Sequence, residues 1–165
     1  MKEIKMNKLA FALISGMGAA LAIGLLSYAE TLQSDLVLLM VPFGATAVLV
    51  FGVPESPLAQ PRNVIFGHLL TCAIGLYFFH YVGVNPFTLA LASGLAVSAM
   101  LLTKTTHPPA GATPLLVMLT GQDWWFLFSP VLTGAVIIVL VGKLIALMHK
   151  RLARQNLQQS QAALD

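Results

Sequence analysis

Thr105-Thr-His-Pro-Pro-Ala-Gly-Ala-Thr-Pro-Leu-Leu-Val-Met-Leu-Thr-Gly121 sets a rigid His107-Pro108-Pro109 corner ahead of a short apolar run. The chain has to stay extended through the prolines and can turn helical only after them. A second copy lies upstream: Pro42-Phe43-Gly44-Ala45-Thr46 matches Pro109-Ala110-Gly111-Ala112-Thr113 in four of five places, an offset of 67 residues (111 − 44). The same offset relates Gly67 to Gly134 and Gly75 to Gly142. Glycines in register this far beyond a five-residue match point to an internal duplication.

The surrounding composition places both copies in a membrane. Of 165 residues, 58% are hydrophobic and 9% charged, with a mean hydropathy of +0.85, whereas a soluble domain carries about a quarter charged residues. No charge falls between Leu9 and Ala29, between Leu36 and Pro54, or between Asn63 and Thr103. Each gap holds a run of membrane-spanning length. The net charge of +3 is no argument for a nucleic-acid partner, because Lys2, Lys5, Lys8, Lys150, Arg151 and Arg154 cluster at the two ends as topology signals. Cys72 is the one cysteine and lies in an apolar segment, so neither a disulfide framework nor a cysteine-rich metal site is expected, and no cofactor. Lys2 to Lys8 followed by an apolar run and Ser27-Tyr28-Ala29 has the outline of a signal peptide, but the run from Leu9 to Ala29 is too long for one.

The fold expected is an all-α polytopic membrane protein built as one transmembrane domain over 1–165. Leu9 to Ala29 is a first span, with Gly16, Ala20 and Gly24 making a flat face. Glu30 to Asp35 is a polar loop. Leu36 to Val53 is interrupted by Pro42 and Gly44, hence a discontinuous helix. Pro54 to Asn63 reads as a loop, Val64 to Val82 as a helix with Gly67, Thr71 and Gly75 on one face, and Phe87 to Thr103 as another with Ala90, Gly94 and Ser98. Trp124-Trp125 suits a membrane interface. Phe126 to Met148 is the last helix, followed over 149–165 by a cytoplasmic tail that reads as a frayed helix, with Gln-Gln-Ser-Gln disordered. If both motif segments cross, there are six spans in two inverted three-segment repeats, about 9–82 and 87–148. If they are re-entrant, there are four spans and two hairpins. The charge rule favours six: Lys2/Lys5/Lys8, Arg62, Lys104 and Lys150/Arg151/Arg154 then share the cytoplasmic side, Glu30, Asp35 and Asp123 the other, and only Glu55 is out of place.

A helix that starts inside the bilayer offers unpaired backbone N–H groups and the positive end of its dipole to an anion. The candidate binding residues are therefore Gly44, Ala45, Thr46, Gly111, Ala112 and Thr113, the threonines adding hydroxyl donors, with His107 as a proton carrier or anion donor. The competing reading is a packing device in which Pro kinks, Gly and Ala allow close crossing, and Thr bonds back to its own helix. Gln60, Arg62, Asn63 and Lys104 are candidate entrance residues, or simple topology anchors. His68 and His80 read as packing or interfacial residues, His68 aligning with Ala135 rather than with a second histidine, and Lys143 as a snorkelling lysine.

Thr106-His107-Pro108-Pro109-Ala110-Gly111-Ala112, Pro42-Phe43-Gly44-Ala45 and Ser56-Pro57-Leu58-Ala59-Gln60-Pro61-Arg62-Asn63 resemble the HPP family of integral membrane proteins, over roughly Leu9 to Met148. The resemblance implies a bundle usually described as four spans and, for plant and cyanobacterial relatives, nitrite transport across plastid or cell membranes. Some relatives carry a C-terminal CBS regulatory domain, which these residues are not expected to contain. The function expected is a small inorganic anion transporter or channel, nitrite first, in the plasma (inner) membrane with both termini cytoplasmic. Its expected partners are the anion, the bilayer and further copies of the chain across small-residue faces. The alternatives are a non-transporting assembly or sensing subunit and, least supported, an intramembrane enzyme, since no paired carboxylates or Ser/His/Asp set lie in the apolar segments.

Overall fold

The computed structural model describes residues 7–32 and 38–162, with side chains to Leu152 and at Arg154. Lys2, Lys5 and Asp35, used above as topology markers, lie outside the described residues. The elements are α1 (Lys8–Leu32), α2 (Pro42–Gly52), α3 (Pro61–Val82), α4 (Pro86–Thr103), α5 (Thr113–Thr120) and α6 (Thr133–Ala162), with no strand among the described residues. A 3₁₀ turn (Pro108–Ala112) leads into α5, and a broken stretch over 124–132 leads into α6. Prolines mark the starts, because a proline in the first turn gives up no helical hydrogen bond. Pro42, Pro61, Pro86 and Pro108 each open a helical segment. At α4, Asn85 Oδ1 accepts from the N–H groups of Phe87 and Thr88 at 2.9 and 3.0 Å, and Thr88 Oγ1 accepts from Asn85 N–H at 2.9 Å.

Four boundaries differ from those the sequence suggests. Glu30-Thr31-Leu32, expected as loop, is the last turn of α1. Pro61-Arg62-Asn63 is the first turn of α3 rather than loop. The last helix does not begin at Phe126, because Ser129 takes extended backbone (φ −129, ψ 111) before Pro130, and regular α-helix resumes only at Thr133. That helix then continues through Gln158-Gln159-Ser160-Gln161 to Ala162, where disorder was expected.

The contacts order the bundle between two ends. At the first end Phe11 meets His149, with ring centroids 5.0 Å apart. Pro54, Glu55, Gln60 and Pro61 share a hollow there with Lys143 and Lys150, and Arg62 donates to Thr103 O at 3.0 Å. At the second end the Glu30 carboxylate accepts from the N–H groups of Leu38 and Leu39, and His80 stacks on Trp124 with centroids 6.0 Å apart. Four helices, α1, α3, α4 and the 124–152 stretch, are long and apolar enough to cross a membrane. The two motif segments join the same two ends. Leu38 sits at the second end on Glu30, and Pro54 and Glu55, just past Gly52, sit at the first; Thr105 follows Thr103 at the first end, and Gly121 meets Phe79, beside His80, at the second. Neither returns to the end it left, so the hairpin alternative does not describe this chain. The first runs from the second end to the first, the second from the first end to the second.

The duplicated glycines record how the segments pack. A Cβ on Gly67 would lie 2.9 Å from Thr105 O and 3.6 Å from Ala110 Cβ, while one on Gly134 would lie 2.9 Å from Leu38 O and collide with the Phe43 ring. A Cβ on Gly75 would lie 3.2 Å from Val117 Cβ, and one on Gly142 would collide with Val50. Leu38 and Thr105, Phe43 and Ala110, and Val50 and Val117 are each separated by the same 67 residues (105 − 38) as the glycines. The contacts are thus equivalent, and crossed: the glycine helix of each half holds the motif segment of the other. Outside this core, Leu9, Leu13, Met17, Leu21 and Leu25 form an exposed stripe on α1, an arrangement suited to lipid.

Candidate functional site

Thr46 lies in the first turns of α2 and Thr113 opens α5, so the two copies of the motif place their hydroxyls inward from segments of opposite direction. Both are fully buried, as are His68 on α3 and His107 at the corner before Pro108. Hydrogen bonds join all four. His107 Nδ1 lies 2.8 Å from Leu58 O, His107 Nε2 lies 3.0 Å from Thr46 Oγ1, Thr46 Oγ1 lies 2.9 Å from His68 Nε2, and His68 Nδ1 lies 3.1 Å from Thr113 Oγ1. The rings of His68 and His107 meet edge to face, 5.0 Å between centroids.

The acceptors determine the protons. A carbonyl can only accept, so His107 carries its hydrogen on Nδ1 toward Leu58 O, and with the ring neutral its Nε2 accepts from Thr46 O–H. The Thr46 oxygen then accepts from His68 Nε2–H, and His68 Nδ1 accepts from Thr113 O–H. Each polar atom of the chain is paired without a formal charge, as groups in a low-dielectric interior require. No group of three or more potential metal ligands occurs among the described residues.

The remaining expected site residues separate into two groups. Gly44, Ala45 and Ala112 are exposed and Gly111 half-buried. Nothing lies within 4 Å of a Cβ built on Gly44 or Gly111. These residues face away from the polar chain and do not line it. Two of the N–H groups expected for an anion are already used, Gly44 N–H donating to Val41 O at 3.2 Å and Thr113 N–H to Ala110 O, as are those of the neighbouring Phe43, to Met40 O, and Ala110, to His107 O, both at 2.9 Å. His68 is about 10 Å along α3 from Pro61, in the first half of that helix.

The entrance residues hold loops together. Gln60 Nε2 donates to Pro54 O and Ser56 O at 3.1 and 3.0 Å, Asn63 Nδ2 to Thr106 O at 2.9 Å, and Arg62 to Thr103 O. Lys104 ends α4 in the left-handed region, at φ 55. Gln60 lines the hollow of about 240 Å³ at the first end, together with Glu55, Ala59, Lys143 and Lys150. Arg62 lines a separate apolar hollow with Phe66, Leu69 and Leu127.

His68 is the member of the site that sequence reasoning assigned to packing. It has no counterpart across the duplication, so the repeat does not signal it. The signal present was an ionisable side chain within an apolar span, which by itself marks a candidate site. His80 stacks on Trp124 at the second end, as an interfacial residue would.

Residues 4–155 match the family described as HPP, transmembrane region. A transmembrane protein of Dictyostelium discoideum is 37% identical over 145 residues, covering 83% of this chain and 51% of that protein. A second from the same organism is 34% identical over 148 residues, covering 85% and 48%. The chain thus spans about half the length of these curated relatives. No solved structure matches it. By the extent of the family match, and by relatives that cover most of its length, the chain belongs to the HPP family of membrane proteins.

Proposed function

We propose that this protein moves a small inorganic anion across the membrane, nitrite being the first to test. The observation that carries the reading is the uncharged chain Thr113–His68–Thr46–His107, fully buried where two broken segments of opposite direction meet. Interrupted helices in corresponding halves of a transporter are where substrate sites form. Hydroxyl and imidazole donors suit a small anion, and no carboxylate bonds to any of these groups among the described residues to repel it. The family resemblance supplies nitrite as the named ion. The test is uptake into proteoliposomes of the purified full chain against empty liposomes, for nitrite, nitrate and chloride. Uptake of none above the empty baseline rejects the reading. Thr113→Val, which deletes a hydroxyl that must turn from His68 Nδ1 to reach an anion, is expected to weaken anion affinity about tenfold, one charge-assisted hydrogen bond contributing about 1.5–3 kcal/mol.

A non-transporting subunit is the second reading, favoured by a hollow on the outer face between α1 and α2 lined by Gly16, Ala19, Gly44 and Gly52. Such a surface accepts another helix, from a second copy or from a partner. The same flux measurement separates the two.

The orientation proposed puts the first end in the cytoplasm of a cell whose plasma membrane holds the protein, because Lys8, Arg62, Lys104, Lys143 and Lys150 lie toward it and Glu30 and Asp123 toward the other. In a Cys72→Ala background, cysteines at positions 60 and 104 are expected to stay unlabelled by an impermeant maleimide added outside cells, while one at 123 labels. Strong labelling at 60 and 104 reverses the orientation.

A further inference from the structure

We infer that His107 takes up one proton in each transport cycle, so that the anion crosses together with a proton; this rests on the transport reading above. The geometry that carries it is the two-way hydroxyl between the histidines. Leu58 O holds a hydrogen on His107 Nδ1 and leaves Nε2 as the one free lone pair of the ring. Facing Nε2, Thr46 Oγ1 has an alternative acceptor, Pro42 O at 3.2 Å. While His107 is neutral, Thr46 donates to Nε2. When a proton arrives on Nε2, the Thr46 hydroxyl turns to Pro42 O and its oxygen accepts from both His107 Nε2–H and His68 Nε2–H. All partners are present before and after, and one hydroxyl rotation separates the two states.

The charge this creates explains the coupling. The ring is fully buried, and the groups facing it are neutral: Thr46 from α2, the Leu58 carbonyl from the 53–60 loop, and His68 from α3, with Phe43 of α2 and Thr113 of α5 reached through His68 and Cys72 a turn beyond it. Apart from Thr88, the buried residues of α4 are apolar, and so are those of α6 among the described residues. Among the described residues the carboxylates are engaged or placed elsewhere: Glu30 at the second end on Leu38 and Leu39, Asp123 capping Trp125, and Glu55 exposed in the hollow beside Lys143 and Lys150. Arg62 and Lys104, exposed at the first end, are cations. A buried imidazolium without a counter-charge is strongly unfavourable, and so is a buried anion alone. Each relieves the other, and linkage makes the effect reciprocal: the anion favours the proton and the proton favours the anion. With the rings 5.0 Å apart, a proton on His107 opposes a second on His68, which sets the ratio at one. The proton comes from water on one side, forms an N–H bond at Nε2, and returns to water on the other side as that bond breaks. The anion is chemically unchanged.

The test uses the full chain in proteoliposomes holding a pH-sensitive dye, with potassium and valinomycin to set the membrane potential and empty liposomes to subtract passive leak of the neutral acid. Expected are one proton entering per nitrite, a rate indifferent to the potential, and faster uptake as external pH falls. His107→Asn, whose amide can still donate to Leu58 O, is expected to lose at least tenfold in nitrite uptake and all protein-mediated acidification. Nitrite entering without protons and following the potential overturns this inference while leaving transport standing, as does one-to-one proton entry in a folded His107→Asn. No uptake of any anion by the unsubstituted protein overturns both. If His107→Asn fails to fold, proton uptake by the unsubstituted protein in weakly buffered detergent decides: about one proton per chain on adding nitrite supports the site, and none overturns it.

Discussion

His68→Ala is expected to destabilise the protein by about 3–5 kcal/mol, the usual range for truncating a buried aromatic ring to alanine. Two effects add. The ring is fully buried, against Phe43 at 5.4 Å and His107 at 5.0 Å between centroids, so its removal leaves a cavity that well-packed neighbours fill only in part. It is also the bridge between the two copies of the motif, and its loss takes the acceptor from Thr113 O–H and a donor from Thr46 Oγ1. Thr46 is the less harmed, because it still reaches Pro42 O and His107 Nε2. His68→Phe separates the effects: it keeps most of the volume and removes both nitrogens, so about 1–3 kcal/mol is expected, the cost of leaving a buried hydroxyl unsatisfied. Unfolding of both variants in detergent measures the difference. A cycle adding Thr113→Val to His68→Phe should show that the second change costs less once the first is made. Additive effects would mean that the hydroxyl and the ring do not depend on each other.

The path from sequence to this site was open at some residues and closed at others for physical reasons. Proline and glycine act locally, so Pro42 and His107-Pro108-Pro109 announced the interrupted segments, and the 67-residue register announced that Gly67 and Gly75 correspond to Gly134 and Gly142, though not which segment each pair would meet. The charge pattern favoured six crossings, and the segments do join opposite ends. What stayed hidden was which face of each motif turns inward. Gly-Ala-Thr offers three candidates in a row, and the helical turn that begins at the proline directs the threonine to the core and Gly44, Ala45 and Ala112 outward. Helix phase at a short, interrupted segment depends on how its first turn is made, here partly 3₁₀, which composition does not specify. His68 was hidden for another reason: its partners lie 22 and 45 positions away in sequence, and no periodicity connects them.

Gly75→Ala and Gly134→Ala are each expected to destabilise by about 1–3 kcal/mol, the range for overpacking a close-packed interior, despite alanine's intrinsic helix preference of up to about 1 kcal/mol over glycine. The obstacle at each position includes backbone. A Cβ on Gly75 would lie 2.8 Å from Pro114 Cα and 3.1 Å from Pro114 O, and one on Gly134 would lie 2.9 Å from Leu38 O while striking the Phe43 ring. A side chain can rotate away, but Pro114 and Leu38 belong to the broken segments, and moving them moves Thr113 and the chain leading to Thr46. The damage therefore reaches the polar chain as well as the packing, so anion uptake should fall in both variants. Gly16→Ala and Gly94→Ala are the matched controls, since a Cβ at either meets nothing within 4 Å, and helix preference should leave them as stable as the parent or slightly more so. Thermal unfolding of all four in one detergent, beside flux in liposomes, makes the comparison. Equal stability across the four would mean that the crossed packing of the two halves is looser than these contacts imply, and that the glycine register reflects ancestry without a present constraint.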